Sequence, residues 1–163
     1  MRIFGLFTLI SSFFSWSLVQ ATENMNFRGT LLEYPPCEIN GGQPVEIDFG
    51  EVGINKIDGE NYSQTFKIIY DCQGASTAKI LRYQGNVTAF DAAAVQSNIE
   101  NFGIRLAHRT PDGGVSPLTV GSTLLLAADV GSSTFVVTPV KKSGAELLEG
   151  AFTAGATLQL NYP

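Results

Sequence analysis

Charge is scarce in this 163-residue chain. Only 15% of its residues are charged, and 15 acidic residues outnumber 10 basic ones for a net charge of -5. Nothing here resembles the basic footprint that a phosphate backbone demands, so nucleic acid is not expected as a partner. Histidine is scarcer still: His108 stands alone, and Cys37 and Cys72 are the only cysteines. A zinc centre needs four ligands at recognisable spacing, so no metal is expected. No glycine-rich loop leads from a strand into a helix, which removes support for a nucleotide. What is plentiful is apolar side chain, at 44% of the sequence, too much for a disordered tail. The length suits one domain with its own core and leaves no room for two of full size.

Long apolar runs are also missing, apart from one at the start. Arg2 follows Met1, residues 3–10 are almost wholly apolar, and after Phe13, Phe14 and Trp16 the chain reaches the small-residue pattern Val19-Gln20-Ala21. This is the pattern of a secretory signal peptide over residues 1–21. Ser11, Ser12, Ser15 and Ser17 dilute the run below the roughly 18 to 20 residues of a spanning helix. Cleavage would leave 142 residues with net charge -6, and no membrane-spanning segment is expected after it. In an exported chain an even pair of cysteines reads as one disulfide, Cys37 to Cys72. Closing a loop of that length removes unfolded-state entropy worth about 4 kcal/mol. The sequons at Asn61 and Asn86 carry little weight, because the tripeptide is common by chance.

Along the remainder, strand patterns dominate. Val45, Ile47 and Phe49 alternate with Glu46 and Asp48; Phe66, Ile68 and Tyr70 alternate with Lys67 and Ile69. Both read as half-buried strands, and residues 80–83, 102–106, 124–126 and 134–137 continue the series. Asn40-Gly41-Gly42, Asp58-Gly59, Pro111-Asp112-Gly113-Gly114 and Lys142-Ser143-Gly144 supply the turns between them. Only residues 89–95 look helical. Short strands punctuated in this way predict a single all-β sandwich.

The two ends carry the informative pattern. In residues 152–162, Phe152, Ala154, Ala156, Leu158, Leu160 and Tyr162 share one parity, so one face of a strand there is wholly apolar. With the sequence ending at Pro163, its far edge is expected to lack a partner from the same chain. At the other end, Met25, Phe27, Gly29 and Leu31 alternate with Asn26, Arg28 and Thr30. Pairing of first and last strands within one molecule is the plain alternative. Against it stands the ordered set Phe27-Arg28-Gly29, Pro35-Pro36-Cys37-Glu38-Ile39-Asn40, Val45-Glu46-Ile47-Asp48-Phe49-Gly50, Tyr70-Asp71-Cys72, Phe102-Gly103-Ile104-Arg105-Leu106 and Leu160-Asn161-Tyr162-Pro163. Together these resemble the chaperone-usher pilins over essentially the whole mature chain, and most closely the minor tip or adaptor subunits of P-type pili.

The resemblance implies an incomplete immunoglobulin-like sandwich lacking its seventh strand, completed by a donor strand from another chain. It implies a signal peptide over 1–21, a donor extension over 22–31 and a pilin domain over 32–163. Met25, Phe27, Gly29 and Leu31 would be the donor-strand residues. Gly150, Phe152, Ala154, Ala156, Leu158, Leu160 and Tyr162 would edge the acceptor groove and meet the chaperone, while a final Pro163 departs from the usual terminus. The implied partners are a periplasmic pilus chaperone, an outer-membrane usher and neighbouring pilus subunits, with a tip adhesin among the candidates. The implied route runs through the periplasm to a fimbrium on the bacterial surface.

Catalysis finds no foothold in the residues. His108 beside Arg109 reads as loop, Asp48, Asp71 and Glu100 are scattered over strand ends, and Arg28, Arg82, Arg105 and Arg109 read as surface charges that discourage edge aggregation. No enzymatic activity and no cofactor are expected. The leading reading is a minor structural or adaptor subunit polymerising by donor-strand exchange. A major or tip-fibrillum pilin is the nearest alternative, and a free-standing secreted β-sandwich binding carbohydrate a more distant one.

Overall fold

The computed structural model describes residues 25–73, 78–126 and 130–162. The expected signal peptide and Pro163 lie outside these residues. The chain divides between Leu32 and Glu33 into two units. In the first, residues 25–32 form no helix or strand and are exposed throughout.

The second unit is built from strands, as the alternating patterns predict. Among the described residues they are β1 (Glu38–Ile39), β2 (Gln64–Asp71), β3 (Lys79–Gly85), β4 (Ala94–Gln96), β5 (Phe102–Arg109), β6 (Val115–Pro117), β7 (Thr123–Leu126), β8 (Val130–Lys141) and β9 (Ala156–Asn161). One sheet runs β1-β2-β8-β5-β4, with β6 added on β5; the other runs β7-β3-β9. All pairings are antiparallel. Ile68 and Tyr70 of β2, Ile104 and Leu106 of β5, and Phe135 and Val137 of β8 face Leu81 and Tyr83 of β3 in one buried core. Phe66 and Phe135 are register partners whose rings stack at 5.6 Å, the cross-strand contact that fixes β2 on β8.

Two expectations fail here. Residues 89–95 are not helical: they form a bend and turn that run into β4. The side chains of Thr88 and Asp91 take the local amides, Thr88 Oγ1 accepting from Asp91 N-H and Asp91 Oδ1 from Ala93 N-H, and so compete with a helical ladder. Nor do residues 45–49 belong to a strand. Their alternation is present, with Ile47 and Phe49 half-buried and Glu46 and Asp48 exposed, but no neighbour supplies a ladder.

Gly103 sets how closely β5 meets β4. A Cβ built there would lie 2.5 Å from the Val95 carbonyl oxygen and 2.6 Å from Thr88 Cγ2. Backbone cannot move aside as a flexible side chain does. Gly103→Ala is expected to cost about 1–3 kcal/mol, read as a lower urea midpoint, and an unchanged midpoint would contradict this packing.

Candidate functional site: an open groove over the core

The sandwich is not closed along one side. A groove of about 1080 Å³ runs between residues 37–49 and residues 152–160, and its floor is core: Phe66, Ile68, Tyr83, Ile104, Leu106 and Val137.

The first wall begins at the Cys37–Cys72 disulfide, which ties it to the end of β2. Only Glu38 and Ile39 then pair with β2, opposite Asp71 and Tyr70. Asn40 ends that pairing. Its φ is 51°, and its side-chain oxygen accepts the Ile69 N-H at 2.8 Å. Gly41 and Gly42 follow at φ 60° and 76°, conformations that cost a residue with a Cβ, and they carry the chain away from β2. Val45, Ile47 and Phe49 therefore cross the opening of the core without sheet partners.

The second wall is β9 and the residues before it. On one edge β9 pairs with β3, from Ile80↔Asn161 to Gly85↔Ala156. Its other edge, facing the groove, has no strand partner among the described residues. The single-parity apolar face survives: Phe152, Leu158, Leu160 and Tyr162 are half-buried, while Ala154 and Ala156 are exposed. The expected strand over 152–162 is nevertheless shorter. Before Ala156 there is only an isolated bridge between Ala154 and Ser97, because Asn98 holds Thr153 through its side-chain oxygen at 2.7 Å and its backbone N-H. Gly150, at φ 154°, turns the chain into this wall in a conformation that a side chain would strain.

Aromatic contacts join the walls at both ends. At one, Phe152 meets Phe102 edge-on at 4.9 Å and Phe49 at 6.0 Å. At the other, Tyr162 stacks on Tyr34 at 4.5 Å and donates its hydroxyl to the Pro35 carbonyl at 2.9 Å, with Lys79 Nζ 5.8 Å from its ring. Between these ends an apolar floor lies open beside a strand edge whose backbone groups face outward. An extended chain fits such a place, its amides completing the ladder and alternate side chains filling the floor. The floor is neutral: burial first, and then the charge of Asp91, pushes the Tyr83 phenol pKa well above its ordinary value.

The sequence marks the apolar parity of the tail, and nothing in it marks either aromatic clasp. Tyr34 stands directly before Pro35-Pro36-Cys37, but no periodicity singles it out. The catalytic candidates are not brought together. Asp48 and Asp71 cap the amides of Gly50 and Gln73, and Arg105 pairs with Asp91 at 2.7 Å. His108, expected in a loop, lies instead in β5, where it packs against Phe135 at 5.4 Å and burial lowers its pKa.

Residues 25–163 match the family model described as "Fimbrial protein". The chain belongs to the fimbrial protein family. It is 32% identical over 148 residues to the uncharacterized fimbrial-like protein YfcQ of Escherichia coli K12, covering 87% of this chain and 88% of the relative. It is 29% identical over 153 residues to the fimbrial adapter PapF of Escherichia coli, covering 88% and 90%. The solved structure of the P pilus adaptor subunit PapF superposes with a TM-score of 0.62 at 26% identity, covering 80% of this chain and 98% of that one. The fold of this fimbrial protein is thus the incomplete immunoglobulin-like sandwich that the sequence resemblance implied. Membership of the family associates the chain with a fimbrium at the cell surface.

Proposed function

We propose that this fimbrial protein is a minor, adaptor-type subunit of a chaperone-usher pilus, joined to its neighbours by donor-strand exchange and without a catalytic role. The observation that carries this reading is the apolar groove between residues 37–49 and the unpaired edge of β9. Gly150, Phe152, Ala154, Ala156, Leu158, Leu160 and Tyr162 form the strand-accepting wall, and Met25, Phe27, Gly29 and Leu31 are the strand given to the subunit ahead. Their exposure supports that role, since Phe27 and Leu31 are 85% and 102% exposed. Burying each such side chain in a neighbour's groove gains about 1.5–3 kcal/mol. The division of the chain into residues 1–21, 22–31 and 32–163 follows from the same reading, as does passage through the periplasm with a chaperone and an outer-membrane usher as partners.

The test begins with co-expression of the chain with a pilus chaperone and recovery of the complex. Replacing Leu160 and Tyr162 together by Ser and Asn removes apolar area from the wall and the clasp on Tyr34. Recovered complex is expected to fall at least about tenfold, the effect of roughly 1.4 kcal/mol or more in binding. Undiminished complex would take the chaperone-binding role away from this strand.

A further inference from the structure

The groove is apolar on its floor and one-signed on its rim. Glu38 and Glu46 line it, and Asp48, Glu51 and Glu149 line the cavity of about 830 Å³ that continues it past Phe49 and Phe152. Among the described residues, no Lys, Arg or His lines either one. Among the described residues, none of these five carboxylates is paired with a basic side chain. Glu46 and Asp48 alternate with the half-buried Ile47 and Phe49, so they occupy the outer face of the wall. A strand laid between this wall and β9 would turn its apolar residues to the floor and its intervening residues outward. Those outward residues would have Glu46 and Asp48 on one side and Thr157 and Gln159 on the other.

From this we infer that the groove selects its donor strand by charge as well as by shape: the partner is a subunit segment that alternates apolar residues with outward positions carrying a basic side chain and no acidic one. The inference rests on the reading of the groove as a strand acceptor and adds the chemistry of what it accepts. Cross-strand neighbours of opposite charge attract and like charges directly opposite repel. A rim of one sign also steers the approach of an opposite charge and slows a like one. The chain's own extension shows that such a segment is ordinary in composition. Over residues 22–31 its charges are Glu23, at the parity of Met25, Phe27 and Leu31, and Arg28, which alone stands at the opposite, outward parity.

The probe is therefore a capped peptide of residues 24–32, compared with the same peptide carrying Arg28→Gln or Arg28→Glu. Each is offered to the chaperone-bound subunit, and insertion is followed by native mass measurement. The Arg28 peptide is expected to insert about tenfold faster than the Glu form, with the Gln form between them. The difference should shrink between about 0.02 M and about 0.5 M salt as screening shortens the reach of the rim. In a Glu46→Gln, Asp48→Asn subunit, altered only at exposed positions, the three rates should converge. If all three peptides insert equally into the unaltered subunit, charge selection is wrong while strand acceptance stands. Insertion of none of them overturns both.

Discussion

Deleting residues 22–30 is expected to leave the chaperone complex of this subunit intact while abolishing its insertion into the subunit ahead. The expectation follows from where the deleted residues lie. The described part of the segment is exposed throughout, and the core of the sandwich is built from residues of the second unit, chiefly in β2, β3, β5 and β8. Its ten residues from 22 to 31 can extend about 33 Å at roughly 3.3 Å each, enough to follow a strand edge from end to end. The loss should be complete rather than partial, because the main-chain hydrogen bonds and the apolar side chains leave together. A milder variant separates shape from presence. At Gly29 a Cβ meets nothing within 4 Å in this chain, so Gly29→Leu should fold normally. Any penalty would arise in the neighbour's groove, where overpacking typically costs about 1–3 kcal/mol, and insertion should slow accordingly. A truncated subunit that still joined its neighbour at the normal rate in a strand-exchange assay would show that the donor lies elsewhere.

The second large effect concerns the disulfide. Replacing Cys37 and Cys72 together by Ala is expected to destabilise the subunit by about 4 kcal/mol, the entropy of closing a loop of 35 residues. Against a domain stability of roughly 5–15 kcal/mol that is a large share. The structure adds a local reason. Beyond the disulfide, the hydrogen bonds that hold the first wall to the sheet are, among the described residues, those of β1 and the one from Ile69 N-H to Asn40, with Ile47 and Phe49 adding apolar packing on the core. Without the covalent tie, residues 43–49 should become the first site of proteolysis, and the chaperone complex should be recovered in much lower yield. Equal yield with the same cleavage pattern would contradict both parts of this expectation.

Much of this was legible in the sequence. Period-two alternation marked Phe66, Ile68 and Tyr70 as β2 and residues 102–106 as the start of β5, since burial on one face of a strand leaves that trace. The inward parity of Phe152, Leu158, Leu160 and Tyr162 was legible for the same reason. Val45, Ile47 and Phe49 show the limit of the method. Alternation records which side chains turn inward, and it does not record whether an adjacent strand exists to make a ladder. Residues 89–95 failed differently, because a run of alanines suits a helix as well as a turn leading into a short strand, and only the pairing of β4 with β5 decides. The clasps at Tyr34 and Phe49 join residues more than a hundred positions apart, which no local pattern could reveal.

The groove and the segment proposed to fill such grooves belong to different stretches of one chain, and this governs the symmetry of anything the subunit builds. A contact between unlike surfaces is heterologous: a single such contact has no two-fold axis, and only a reciprocal swap between two copies would create one. Two copies joined by one such contact leave one groove and one segment unused, so the pair can still grow at either end. Repeated with a rotation that does not close into a ring, the same operation gives an open filament with a direction and two chemically distinct tips. Each tip exposes a different half of the joint, an open groove at one and an unused segment at the other, so the two tips are capped by different chemistry.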